Sequence, residues 1–202
     1  MSDSTIKWEP GFGTIYTWFA MDKNGKIAVM VNNCWGWLPN ALLSINNFED
    51  LLDELNEYKW EESGEYFEYP NPKNGKTILD LYSSLVHRDA KSRNDVENWV
   101  NTRQLGELRD ENIPSRKGFF IYHGVEGDSH GQDYPVGYDG ETKMGDYFRY
   151  LMPTVYASIE DFPEELRCGI AVSDTIDFTT DRLLDNDQIN EWFPRMYKRD
   201  FL

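Results

Sequence analysis

Residues 13–31 read GTIYTWFAMDKNGKIAVMV, and this stretch decides the fold class. Ile15, Thr17 and Phe19 alternate with Tyr16 and Trp18, and Ile27, Val29 and Val31 repeat the two-residue period. That period puts successive side chains on opposite faces of a strand. Between the two runs stands Asn24-Gly25, a tight-turn pair, so the segment predicts a β-hairpin.

Working outward, residues 32–39 (NNCWGWLP) form an irregular link carrying Trp35 and Trp37. Phe48, Leu51, Leu52 and Leu55 then recur at helical spacing behind a cap at Asn46 or Asn47, which predicts a helix. A polar loop runs through Pro70 to Gly75. A second helix is predicted over Thr77 to Val86, with Ile78, Leu81, Tyr82 and Leu85 inward, and a third over Asn94 to Leu105. Gly118 to His123 reads as an aromatic strand, Gly124 to Gly140 as a long loop, and Asp146 to Met152 as another strand. A short helix capped by Ser158 and running to Leu166, a strand over Asp174 to Phe178 and a helix over Asp187 to Phe193 complete the chain. Strands flank central helices without regular β-α-β alternation. The expectation is one α+β domain over residues 1–202: a mainly antiparallel sheet with a central helical segment packed on it.

Composition limits function before any motif does. The 202 residues hold 36 Asp and Glu against 20 Lys and Arg, for a net charge of −16 and a pI near 4.5. Such a chain repels nucleic acid and anionic membranes. With 7 Trp, 12 Tyr and 11 Phe it can still fill a core. The longest charge-free run, Ile27 to Phe48, contains five Asn with Gly36 and Pro39, which argues against a membrane span. The first ten residues lack a basic and apolar leader, so a cytoplasmic location is expected. Cys34 and Cys168 form no C-x-x-C pair; free thiols are expected, with one long-range disulfide as the alternative.

Motifs of catalysis are weak. His87, His123 and His130 have no His or Cys neighbour at zinc-site spacing. Asp128, His130 and Asp133, with Glu126 nearby, make an oxygen-rich loop that matches no calcium-loop spacing; a solvated turn is the competing explanation. His123 could act as a general base, or could simply bond the backbone. His87-Arg88-Asp89 lacks the other parts of a kinase, and no nucleophile elbow or phosphate loop is present. No catalytic residue, metal ligand or cofactor is predicted.

The charge is unevenly placed. Residues 48–68 carry nine acids and a single base, Lys59, and residues 126–191 carry sixteen acids and four bases. Aromatic residues interleave the first acidic segment, a composition suited to a charged interface with apolar anchors. The competing explanation is a solvated helix face with its aromatics folded inward. The candidate partner-binding residues are Glu49, Asp50, Asp53 and Glu57 on the helix, with Trp35, Trp37 and Trp60 as anchors for a basic protein partner.

Two blocks carry a resemblance. Trp18-Phe19-x-x-Asp22-x-x-Gly25-x-Ile27-Ala28-x-Met30 resembles the opening of small, acidic bacterial immunity proteins of polymorphic-toxin systems. Tyr147-x-Arg149-Tyr150, followed by Ser158-Ile159-x-Asp161-x-Pro163-x-Glu165-Leu166, is similar to their second half. Together the blocks span about a third of the chain. Residues 32–37 depart from the pattern, since a Gly-rich turn is usual there. The resemblance implies a non-enzymatic protein that occludes a basic toxin domain and uses no cofactor. Alternatives from other classes are a small metal-dependent hydrolase built on residues 123–133 and a self-associating structural protein. Oligomeric state is left open.

Overall fold

The computed structural model describes residues 8–198. The leader assignment rests on residues 1–10, of which 1–7 lie outside the described residues. The hairpin forms as the alternation predicts: β1 (Thr17–Met21) pairs antiparallel with β2 (Ile27–Val31). Its turn is closed by the buried Asp22, whose carboxylate accepts from the amides of Asn24, Lys26 and Phe178. Gly25 supplies the left-handed φ of 78° that the turn requires.

The remaining strands are β3 (Thr77–Leu79), β4 (Tyr82–Ser83), β5 (Phe120–Gly124), β6 (Pro135–Val136), β7 (Tyr147–Pro153), β8 (Ile170–Val172), β9 (Leu183–Leu184) and β10 (Arg195–Met196). The main sheet runs β10-β8-β1-β2-β5-β7-β3, with β9 also on β7. It is mostly antiparallel; β1 with β8 and β2 with β5 are the parallel pairs. β4 and β6 form a separate two-stranded ribbon. The class is α+β, as the order of elements predicts.

Both faces of the sheet are covered, which explains why strand residues on either side are apolar. Trp18 points to one face, edge-on to Tyr147 and Phe193. Phe19 points to the other, against Phe119 and Phe162. Among the described residues the α-helices are, in chain order, α1 (Asn40–Leu43), α2 (Phe48–Trp60), α3 (Arg93–Arg103), α4 (Ile113–Lys117) and α5 (Ile189–Trp192). α2 buries Leu52, Leu55, Tyr58 and Lys59. Asn47 is its N-cap in a left-handed conformation, φ 59°, with no side-chain capping bond. Among the described residues no helix is long and apolar enough to cross a membrane. Cys34 and Cys168 are free thiols.

Three sequence expectations fail. Thr77 to Val86 is no helix: β3 pairs with β7, and Asp80 turns the chain into the β4 ribbon. Asp174 to Phe178 is a turn, held by the Ser173 hydroxyl, which accepts from the amides of Thr175 and Ile176. The segment from Ser158 to Leu166 splits into 3-10 turns at Ile159–Asp161 and Glu164–Gly169. Phe162 is extended before Pro163, as a residue preceding proline prefers.

Candidate functional site

The register of the sheet builds the site floor. Thr17 is opposite Val31, Val31 is beside His123, and His123 is opposite Phe148. This row crosses four strands on the Phe19 face, at the C-terminal ends of the parallel strands β2 and β5. Such ends leave chain loops free to line a site. Asn33, just past β2, ties the two ends together by donating from Nδ2 to the Gly124 carbonyl at 2.9 Å.

Over this row lies a cleft in two parts. The first is a groove of about 540 Å³ between α2 and the hairpin, lined among others by Ile15, Tyr16, Glu49, Asp53, Lys59 and Trp60. The second is a cavity of about 220 Å³ whose walls include His87, Trp99, Glu111, His123, Glu126 and Tyr150. Asp110 lines both parts.

The groove is acidic at its rim and cationic at its floor. All nine acids of residues 48–68 are exposed, whereas Lys59 is 4% exposed. Glu61 pairs with Lys117; the other eight form no ion pair among the described residues. Lys59 Nζ lies 4.2 Å from the centre of the Trp60 ring and makes no ion pair among the described residues. Burial pushes its ammonium down to about 8, against a small upward pull from Asp110. Tyr16 donates its hydroxyl to Glu49, and that bond together with burial raises the phenol to about 12.

In the cavity, burial lowers both His87 and His123, so both rings are neutral at pH 7. Nε2 of His123 is buried with no hydrogen-bond partner among the described residues, so the neighbouring backbone does not satisfy it. Burial, then the charge of Asp133, raises Glu126. Burial, then Glu111 and Asp110, raises the Tyr150 phenol.

Of the seven predicted binding residues, Glu49, Asp53 and Trp60 come together in the groove. Asp50 and Glu57 are exposed on α2 without lining it. Trp37 reaches the rim indirectly, edge-on to Trp8, which is edge-on to Tyr16. Trp35 stands apart, half-buried in a turn whose carbonyl accepts from Asn186. In the loop of the hydrolase alternative, the buried Asp133 carboxylate accepts from Ser83, Ser84, Leu85 and Glu126, which makes it a fastener. Asp128 and His130 are exposed, and among the described residues no three His, Cys, Asp or Glu could hold a metal ion.

Sequence pattern alone does not single out Lys59, Asp110, Glu111 or Tyr16, which line the cleft. The one signal for Lys59 was its isolation among nine acids. The second acidic segment is also different from the first, because much of its charge is spent on the fold. Asp146 accepts from the amides of Lys143 and Asn186, Asp161 holds Lys73, and Lys143 bridges Asp185 and Asp187.

Most of the residues that carry the resemblance are scaffold, although Glu165 is exposed and Gly25, Ser158, Asp161 and Pro163 are half-buried. Trp18, Phe19, Ile27, Ala28, Met30, Tyr147, Arg149 and Leu166 are all buried. Comparison with protein-family models, with curated proteins and with solved structures finds no match.

Proposed function

We propose that this protein is a non-enzymatic immunity protein of the bacterial cytoplasm that binds and inhibits a basic toxin domain through the α2 side of the cleft. One observation carries the reading: every acid of residues 48–68 faces solvent while the one base among them is turned inward. Exposed carboxylates, all but Glu61 without an ion pair among the described residues, project a negative field, which steers a basic partner and speeds its encounter roughly 10- to 1000-fold in favourable cases. Tyr16, Trp60 and the 64% exposed Ile15 give the same groove apolar contact surface. Against a nuclease toxin, the carboxylates of α2 would stand where the enzyme holds phosphates.

The test is capture at low salt from the source cells by the wild-type protein and by an Asp50→Lys, Asp53→Lys variant, with elution by salt. A basic protein retained by the wild type and lost from the variant is expected. Its association rate should fall and lose salt dependence in the variant. Identical retention by both proteins would sink the reading.

A further inference from the structure

α2 buries a cation, Lys59, whose charge no described residue answers. The side chain is 4% exposed, and its ammonium makes no hydrogen bond or ion pair with any described residue. Buried charges are ordinarily paired, because burying a lone one is costly. The neighbouring cations are engaged: Lys73 holds Asp161, Lys117 holds Glu61, and Arg116 donates to the Gly106 carbonyl. Lys59 instead ends at the groove floor, with Nζ 4.2 Å from the centre of the Trp60 ring and 6.0 Å from that of Phe19. It is not sealed in. Among the described residues the enclosed side-chain polar atom without a bond is Nε2 of His123, so Nζ of Lys59 keeps access to the groove. The other ionisable groups lining that groove are Glu49 and Asp53 of α2, Tyr16 before β1 and Asp110 after α3. An unpartnered amine at the floor of an open groove is a group whose bonding a ligand completes.

We propose that Lys59 captures a small, neutral, apolar aldehyde in this groove by condensing its side-chain amine with the carbonyl carbon. At about 540 Å³ the groove falls within the roughly 300–1,000 Å³ of small-molecule sites. Ile15, Tyr16 and Trp60 offer such a ligand its contact surface. A desolvated lysine is the amine suited to carbonyl condensation. Burial leaves about one Lys59 in ten as the free amine at pH 7, against about one in 3,000 for an unperturbed lysine. The free amine adds to the carbonyl carbon, forming the C–N bond, and its proton passes to the oxygen to make a hydroxyl. With a second proton that hydroxyl leaves as water, and the nitrogen lone pair closes the C=N bond. In sum, ammonium and aldehyde give a protonated imine and one water, with no change of charge. The carboxylates of Glu49, Asp53 and Asp110 favour that cation, and they repel an anionic aldehyde.

Nothing in this chemistry requires a toxin. The experiment uses the purified chain alone, so it succeeds or fails separately from capture at low salt. The full chain is incubated at pH 7 with benzaldehyde and cyanoborohydride, which reduces the protonated imine to a stable secondary amine. Peptide mass mapping then locates and times each label. Lys59 should label at least about tenfold faster than the exposed Lys23, Lys76 and Lys91. With 4-carboxybenzaldehyde that ratio should fall about tenfold, because the groove repels the anion. In urea the preference of benzaldehyde for Lys59 should vanish. Lys59→Arg keeps the charge and Lys59→Met the apolar volume; both should lose the fast label and keep the slow ones. The proposal is overturned if Lys59 labels no faster than Lys76, if the ratio is the same for both aldehydes, or if the preference survives in urea. Should either variant fail to fold, the peptide map of the wild type decides alone.

Discussion

Arg149 Nε on β7 meets the Asp80 carboxylate at 2.7 Å, in the link between β3 and β4. The guanidinium also donates to the Phe178 carbonyl at 2.7 Å, and Arg182 grips the other carboxylate oxygen at 2.7 Å. Arg149 is buried, so its charge depends on Asp80. Removing one partner of a buried pair strands the other, at about 3–5 kcal/mol. Asp80→Ala should therefore lose stability of that order in urea denaturation. A loss below about 1 kcal/mol would mean that Phe178 and water suffice for Arg149.

Lys59 sets a pH dependence of definite sign. The unfolded chain keeps this proton to about 10.5, and the folded protein releases it near 8. Between those values the unfolded state binds more protons, so stability rises with pH. The rise is on the order of 3 kcal/mol in full. Tyr16 and Tyr58, both raised to about 12, act the other way once unfolded tyrosine ionises near 10. The usable window is about pH 8 to 10. Lys59→Met should stabilise the protein at pH 7 and flatten the curve in that window, as read by denaturant titrations. A slope unchanged in the variant would assign the pH effect to other groups.

The legible parts of the molecule are those fixed by local pattern. Alternation and Asn24-Gly25 suffice for the hairpin, and the spacing of Phe48, Leu51, Leu52 and Leu55 suffices for α2. Residues 77–86 carry the same helical spacing and mislead. Asp80 is bound by Arg149, and Ser83 and Leu85 by Asp133, so distant partners override local preference there. The acidic half of the site was readable because the Leu positions of α2 dictate which residues face outward. The cavity was not. Its floor depends on Val31 lying beside His123 in a parallel pair, a register that no local spacing encodes.

Ile15 separates binding from folding. It is 64% exposed at the groove rim, so Ile15→Ser should change stability by no more than about 0.5 kcal/mol. If the groove seats a partner, the loss of this apolar contact should raise the dissociation rate, for about 1–2 kcal/mol of affinity. The association rate should stay constant, because no charge changes. Stopped-flow and surface-binding kinetics measure the two rates. An Ile15→Ser variant that dissociates like the wild type would place the contact elsewhere on α2.

The turn after β2 holds the last prediction. Asn33 and Cys34 both have positive φ, 46° and 69°, and the Trp35 amide donates back to the Asn32 carbonyl at 3.1 Å. Two successive left-handed residues define a type I′ turn, for which glycine is favoured at the second position. Asparagine tolerates the conformation, but a cysteine side chain does so at about 1–2 kcal/mol. Cys34→Gly removes that strain but adds freedom to the unfolded chain, about 0.5–1 kcal/mol in opposition. The expected result is a net gain of up to about 1 kcal/mol in urea denaturation. Asn33→Gly should do worse, because Asn33 also bonds the Gly124 carbonyl and so joins the ends of β2 and β5 under the cavity. If Cys34→Gly instead costs more than about 1 kcal/mol, packing of the half-buried thiol outweighs the backbone strain.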